Sequence, residues 1–309
     1  MTPVWIDTDM GFDDLAAICV VAASRAHRIA GLSLVAGNAP MEHVAANAAG
    51  AARLFGWTFP IHPGRPKPLI GRLETASYVL GPRGMASAGR HLPDATLQPA
   101  VGPAWQAIAQ FVAAQDRATI LALGPLTNLA MFALNEPELA RRVRSLIWMG
   151  GGVGGNHSAA AEFNAAVDPE SIAIILESGI PLKMLGIDTC RQVRTSDEDA
   201  TALRALGTER AAIMADLLAA YAAIPGPGVK MALYDPVAAA ALVDPLSVTF
   251  RPAFVEAELH GARTRGMTVI EWRVPRRAKP NCEVSTQADE ERARSVILDA
   301  LKTCCAGQD

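Results

Sequence analysis

The chain has 309 residues, enough for one large α/β domain or two ordinary ones, and no shift in composition separates two halves. Apolar residues make up 50% and charged residues 19%, which suits a large buried core and excludes a disordered chain. With 31 acidic against 28 basic residues the net charge is −3 and the arginines are scattered, so neither nucleic acid nor a membrane is an expected partner.

The strand-like Val4-Trp5-Ile6 follows no basic start or long apolar stretch. No signal peptide or spanning helix is expected, and the cytoplasm is the default location. Short β-rich apolar runs at Val4–Asp7, Gly31–Ala36, Ala118–Leu123, Ser145–Met149 and Leu182–Ile187 read as strands. They alternate with helical patterns over Asp13–Ala23, Glu42–Leu54, Pro103–Ala114, Leu126–Leu134, Pro169–Leu176 and Glu198–Tyr221. Further strands are expected at Thr249–Leu259 and Met267–Trp272, and a final helix at Asp289–Leu301. The alternation predicts a single α/β domain over 1–309, with a mostly parallel central sheet flanked by helices in a Rossmann-like arrangement. Two segments rich in Pro and Gly, Pro60–Pro99 and Ile224–Val229, interrupt it and read as surface loops, with mobile loops expected near 72–98 and 222–233. The five cysteines, odd in number and without paired zinc spacing, read as reduced thiols, with Cys304 and Cys305 at a solvated helix end.

Chemistry concentrates first in Asp7-Thr8-Asp9-Met10-Gly11-Phe12-Asp13-Asp14, where four carboxylates fall within one short stretch at the end of the first strand. Ligands bind at the carboxyl ends of strands in a doubly wound sheet, and four negative charges there are costly unless a cation neutralises them. Gly11 permits the tight turn that lets Asp9 and Asp14 point at one spot. No His or Cys accompanies the cluster, so calcium or magnesium is expected before zinc. The helix dipole alone would account for Asp13 and Asp14 but not for Asp7 and Asp9.

Leu123-Gly124-Pro125-Leu126-Thr127-Asn128 closes another strand and leaves the carbonyl of Leu123 free at the same sheet edge, although an ordinary strand-to-helix turn explains the segment in isolation. The glycines after Met149 let backbone approach a ligand, and Asn156, Glu162 and Asn164 soon after supply mixed donors and acceptors for vicinal hydroxyls. A sugar fits such a set, though turn formation explains each part alone. Asp235, before Pro236, reads by itself as a helix cap.

Together these segments resemble the inosine-uridine preferring nucleoside hydrolase family, whose hallmark is Asp-x-Asp-x-Gly-x-Asp-Asp. The likeness extends through Val35-Ala36-Gly37-Asn38, Gly124 to Asn128, Met149 to Gly152, Ala161-Glu162-Phe163-Asn164, Tyr234-Asp235-Pro236 and Gly266-Met267-Thr268-Val269, in family order. It implies hydrolysis of the N-glycosidic bond of ribonucleosides, a role in nucleoside catabolism or purine salvage, and assembly as a homodimer or homotetramer. It implies a calcium ion (Ca2+) held by Asp9, Asp14, Asp235 and the Leu123 carbonyl, with Asp9 as the base for the attacking water and Asn38 near that water. Asp13, Asn156, Glu162 and Asn164 would hold the ribose, with Met149 beneath it, Phe163 beside it, and Asp7 orienting its neighbours.

The chain departs from the family at the base end. Tyr234 stands where many relatives carry a His before the metal Asp, and the usual His-Gly after the first loop is replaced in the segment Val79 to Met85. None of the six histidines falls at those positions, and His157, beside Asn156, is the one nearest the expected site. Purine-specific relatives stack the base on an aromatic residue beside the metal Asp, so Tyr234, with Tyr78 or Tyr221 from mobile loops, points to a purine preference. The alternatives are the same chemistry on a modified nucleoside, a catalytically silent nucleoside- or ribose-binding protein, and a haloacid-dehalogenase-type phosphatase, which fits worse because Gly11 and the Asp13-Asp14 pair have no place in its motif.

Overall fold

The computed structural model describes residues 1–98, 100, 102–273 and 279–306; Pro99, at the end of the expected Pro60–Pro99 loop, lies outside the described residues. Among the described residues the strands are β1 (Thr2–Thr8), β2 (His27–Leu34), β3 (Ile61–Pro63), β4 (Ala118–Ala122), β5 (Val143–Met149), β6 (Leu182–Leu185), β7 (Arg194–Thr195), β8 (Met231–Ala232), β9 (Val248–Ala257), β10 (Thr268–Glu271) and β11 (Cys282–Ala288). Nine of them form one sheet in the order β10-β9-β11-β6-β5-β4-β1-β2-β3, and β7 pairs with β8 apart from it. From β3 across to β11 every pairing is parallel; at the other edge β9 pairs antiparallel with both β11 and β10, so β9 is the strand that runs against the rest.

Strand β1 is central because it is apolar on both faces. Val4 and Ile6 join one core with Leu15, Ile18 and Val21 of the helix Phe12–Ala22, together with Val237 and Ile297. Trp5 joins the core on the opposite face with Ile108, Phe111, Phe132 and Ile175. A strand buried on both sides reads as a continuous apolar run, which is why its pattern was legible. The chain adds β2 and β3 on one side of β1 and β4, β5 and β6 on the other. Between β1 and β4 the winding reverses, and there the loops leaving the two strand ends diverge and open a crevice.

The structure amends several expectations. The helix expected over Glu198–Tyr221 is two, Asp197–Arg204 and Glu209–Ala222, because Gly207 adopts φ 75° and Thr208 caps the second by accepting from the Ala211 amide. Tyr221 therefore sits in a helix and is buried, not on a mobile loop. The loop at 60–98 contains β3 and a short helix at Ser77–Leu80, and the loop at 222–233 contains β8. Cys305 is fully buried, and Cys304 packs half-buried with its thiol 3.5 Å from the Cys19 carbonyl, so that helix end is docked, not solvated. Among the described residues no helix is long and apolar enough to cross a membrane.

Candidate active site

The turn after β1 builds an acidic nest from the backbone outward. Met10 adopts φ 49°, a left-handed conformation uncommon for a residue with a side chain, and is held there by two bonds. Its amide donates to Thr8 Oγ1 at 3.1 Å, and its carbonyl accepts from Asn47 Nδ2 at 3.0 Å. The chain thus folds back so that Asp14, in the first turn of the helix, faces the strand end. The Asp14 carboxylate accepts from the Gly11 amide at 2.8 Å, the Asp9 amide at 3.2 Å, Thr8 Oγ1 at 2.5 Å and Asn38 Nδ2 at 3.2 Å. Asn38, leaving β2, also grips Asp9 twice: its amide donates to Oδ2 at 2.7 Å and its Nδ2 to Oδ1 at 3.1 Å.

Oxygens of Asp13, Asp14 and Asp235 lie within 4.8 Å of one another, and Asp9 adjoins Asp14 through the shared Asn38 side chain. Asp235 is the first residue of the helix Asp235–Val243 and is buried against the other carboxylates, so it does more than cap. Asp7 lies one layer below, accepting from Ser33 Oγ and from Asn128 Nδ2 at 2.8 Å, while its Oδ2 is buried with no partner.

The other expected residues gather around a cavity of about 290 Å3, lined by Asp13, Asn38, Leu123, Met149, Asn156, Glu162, Phe163, Asn164, Tyr234 and Asp235. Asn164 Nδ2 donates to the carbonyls of Leu123 and Met149, both at 3.0 Å, tying the ends of β4 and β5 together. Glu162 caps the helix Phe163–Val167, its oxygens accepting from the amides of Asn164, Ala165 and Gly151 at 2.9 to 3.1 Å. Asn156 stands exposed at the mouth, where its Oδ1 accepts from the Phe163 amide at 2.8 Å. His157 turns away to pair with Glu74 at 3.0 Å and edge onto Phe163. Tyr78, Tyr221, Ile224, Met231 and Tyr234 add an apolar, aromatic wall. Tyr221 packs on Phe12, and its hydroxyl lies 3.0 Å from the Ala232 carbonyl and 3.4 Å from Asp13 Oδ2.

Burial shows in the acid strengths. Desolvation pushes Asp7 and Asp13 up to about 7, and neighbouring Asp14 adds to the rise in both. Asp9 and Asp235 are held well above the ordinary carboxylate range, first by desolvation and then by the adjoining carboxylates. Burial also raises Glu162. A carboxyl with a raised folded-state pKa holds a proton that the unfolded chain releases above pH about 4, so folding loses stability as pH climbs from about 4 through 7. In chelator the melting temperature should therefore fall by about 5 °C or more between pH 5 and pH 7.5. A divalent cation should restore it, with a larger shift at pH 7.5 because protons then compete less. A flat chelator curve with no cation effect at either pH would mean that the nest is satisfied as it stands.

Sequence reasoning missed the supporting residues Thr8, Ser33, Asn47 and Asn128. Thr8 is legible in retrospect as a hydroxyl inside the acidic motif. Ser33 is a polar residue in an otherwise apolar half of β2, a mismatch that marks a buried partner. Asn47 lies mid-helix, and no local pattern points to it.

The acidic, all-oxygen nest thus lies beside the cavity at the winding reversal of a mostly parallel sheet. The chain belongs to the inosine-uridine preferring nucleoside hydrolase family, whose model matches residues 4–295. It is 33% identical over 307 residues to the pyrimidine-specific ribonucleoside hydrolase RihA of Escherichia coli O81 (strain ED1a), covering 97% of this chain and 98% of the relative. Among solved structures it is similar to the purine-preferring ribonucleoside hydrolase from Gardnerella vaginalis, with a TM-score of 0.90, 25% identity and 99% of each chain covered. It is likewise similar to the plant nucleoside hydrolase PpNRh1, with a TM-score of 0.89, 29% identity and coverage of 97% of this chain and 99% of that one. The family is metal-dependent, and its substrates are nucleosides; the phosphatase alternative falls away.

Proposed function

We propose that this hydrolase uses calcium to cleave ribonucleosides and prefers purine nucleosides. The observation that carries the reading is the group Asp13, Asp14 and Asp235, buried or half-buried together beside a cavity with an aromatic wall. All-oxygen donors, no His or Cys among them, and carboxylates made costly by burial fit a hard cation. Asp9, Asp14, Asp235 and the Leu123 carbonyl are the residues that would hold it. When bound, calcium supplies polarisation of a water and an anchor for the ribose diol.

The chain's own residues do the rest. Asp9, fixed by both Asn38 donors, takes the proton as water attacks the anomeric carbon. Asp13, Asn156, Glu162 and Asn164 bind the ribose hydroxyls over Met149 and Phe163, holding that carbon against the water. As the bond to the base lengthens, the sugar gains oxocarbenium character, which the nearby carboxylates stabilise. The base lies against Tyr234, whose ring offers a stacking face. Of the relatives named above, the Escherichia coli one is pyrimidine-specific and the Gardnerella vaginalis one purine-preferring; the aromatic wall supports the purine reading.

The test is a panel of inosine, adenosine, guanosine, uridine and cytidine with calcium, read as free ribose, with Asp9→Ala as the control. Ribose from the purines at ten times the pyrimidine rate or more, lost in the control, is expected. Equal rates on inosine and uridine would remove the purine preference. Tight inosine binding with no free base would identify a silent binder, and turnover only of a modified nucleoside would move the substrate. The resemblance supports a homodimer or homotetramer in the cytoplasm; light scattering on the purified chain reads the assembly.

A further inference from the structure

The acidic turn after β1 and the segment 76–90 border the cavity separately, and one side chain joins them. Ala76, Tyr78, Val79 and Leu80 line the cavity. Further along, Gly84 lies with φ 66° so close to Asn38 and Ala39 that a Cβ there would stand 2.9 Å from Ala39 Cβ and 3.2 Å from the Asn38 carbonyl oxygen. The rear of the segment is fastened to the helix Glu209–Ala222. The Ala88 amide donates to the Asp216 carbonyl at 3.0 Å and the Arg90 amide to Asp216 Oδ2 at 2.8 Å, while Arg204 holds the other carboxylate oxygen at 2.6 Å.

Between these points stands Asn47, in the middle of the helix Met41–Phe55 and 8% exposed. A carboxamide nitrogen carries two hydrogens. Asn47 spends one on the Met10 carbonyl at 3.0 Å and the other on the Arg83 carbonyl at 2.9 Å. Both acceptors are carbonyls, so only the nitrogen of the amide can face them. Met10 is the left-handed residue between Asp9 and Gly11, where the chain turns back toward Asp14; without Asn47 its strained conformation keeps only the bond from its amide to Thr8. Asn47 is not among the residues lining the cavity, so it acts through the two segments it holds.

We infer that Asn47 positions the acidic turn and the cavity-lining segment as one unit, so that a ligand ordering either is felt by the other through this side chain; the inference rests on the nucleoside hydrolase reading of the site. Such coupling is reciprocal. A cation at the turn steadies the segment that meets the nucleoside, and a nucleoside against the segment steadies the turn that aims Asp9 and Asp14.

Hydrogen exchange on the unaltered enzyme reads the link without any substitution. Calcium chloride added to the chelated protein should slow exchange at Met10, Gly11 and Asn38 and also, by about threefold or more, at 84–90, which hold no proposed metal ligand. Asn47→Leu keeps a side chain of similar reach and removes both donors. It should abolish the calcium effect at 84–90 and raise the calcium concentration at the midpoint of the melting-temperature shift by about tenfold. With inosine it should raise KM and lower kcat by about tenfold each. Asp216→Ala frees the rear of the segment and leaves the turn alone, so KM for inosine should rise about threefold with kcat and the calcium midpoint unchanged. Protection confined to the turn in the unaltered enzyme would overturn the role of Asn47. So would an Asn47→Leu variant that melts lower while its KM, kcat and calcium midpoint all stay within about twofold of the parent. Failure of the unaltered enzyme to release ribose from inosine would instead overturn the hydrolase reading, with the exchange result still deciding the link; calcium that slows no amide anywhere would overturn the metal reading and the coupling together.

Discussion

Asp14→Asn should cut ribose release by roughly a thousandfold or more, because one neutral amide replaces the carboxylate to which the whole nest is bonded. The change is close to isosteric, so packing survives. The remaining oxygen can keep only one pair of donors, Thr8 with the Asp9 amide or the Gly11 amide with Asn38, because the two pairs meet different Asp14 oxygens, and the new amide nitrogen faces the other pair. Removing one of several crowded, desolvated negative charges also relieves Asp9 and Asp13, both raised in part by Asp14. Charge relief and the loss of one donor pair oppose each other, so the variant in chelator should melt within a few degrees of the parent, while the rise in melting temperature with added calcium is lost. Melting curves with and without calcium, beside the ribose assay, check both halves. Retained activity with an unchanged calcium shift would remove Asp14 from the proposed ligand set.

The second large effect is expected from a single methyl group. Gly37 and Gly124 stand on either side of Asp9, and a Cβ at Gly37 would lie 2.1 Å from Asp9 Oδ2 and 3.0 Å from the Pro125 ring. Neither neighbour has room to yield, since Asp9 is pinned by Asn38 and Pro125 belongs to the turn after β4. Gly37→Ala should displace the Asp9 carboxylate by about an ångström and cost about a hundredfold in kcat. The overpacking penalty, about 1–3 kcal/mol, leaves a chain of this size folded. Activity within threefold of the parent would show that Asp9 need not sit where it does.

Strands β1, β4 and β5 were legible because sheets covered on both faces leave continuous apolar runs, and the acidic motif was legible because its charge density has no structural use at a sheet edge. The missing parts share a reason. Strand β11, which joins the parallel strands to β9, reads Cys-Glu-Val-Ser-Thr-Gln-Ala, with small and polar side chains where an apolar signal was sought. Ser285, buried there, bonds the Gly186 amide and Thr189, contacts that exist only once distant segments meet. Arg191 follows the short helix Ile187–Cys190, and its bond to the Gly155 carbonyl at 2.9 Å likewise arises only from the fold. Local spacing registers what one turn can assemble; it is silent about pairs that tertiary structure creates.

The cavity is lined by two kinds of element. Asp13, Leu123, Met149 and Asp235 lie at the ends of β4 and β5 and at the starts of helices packed in the main core, so altering them disturbs the centre of the molecule. Ile224 and Met231 pack partly buried against that same core, whereas Tyr78 stands on the short helix Ser77–Leu80 and is mostly in solvent. Substitutions at Tyr78 should therefore cost little in folding while those at 224 and 231 cost more, and a library meant to change what the cavity accepts without weakening the fold starts at 78.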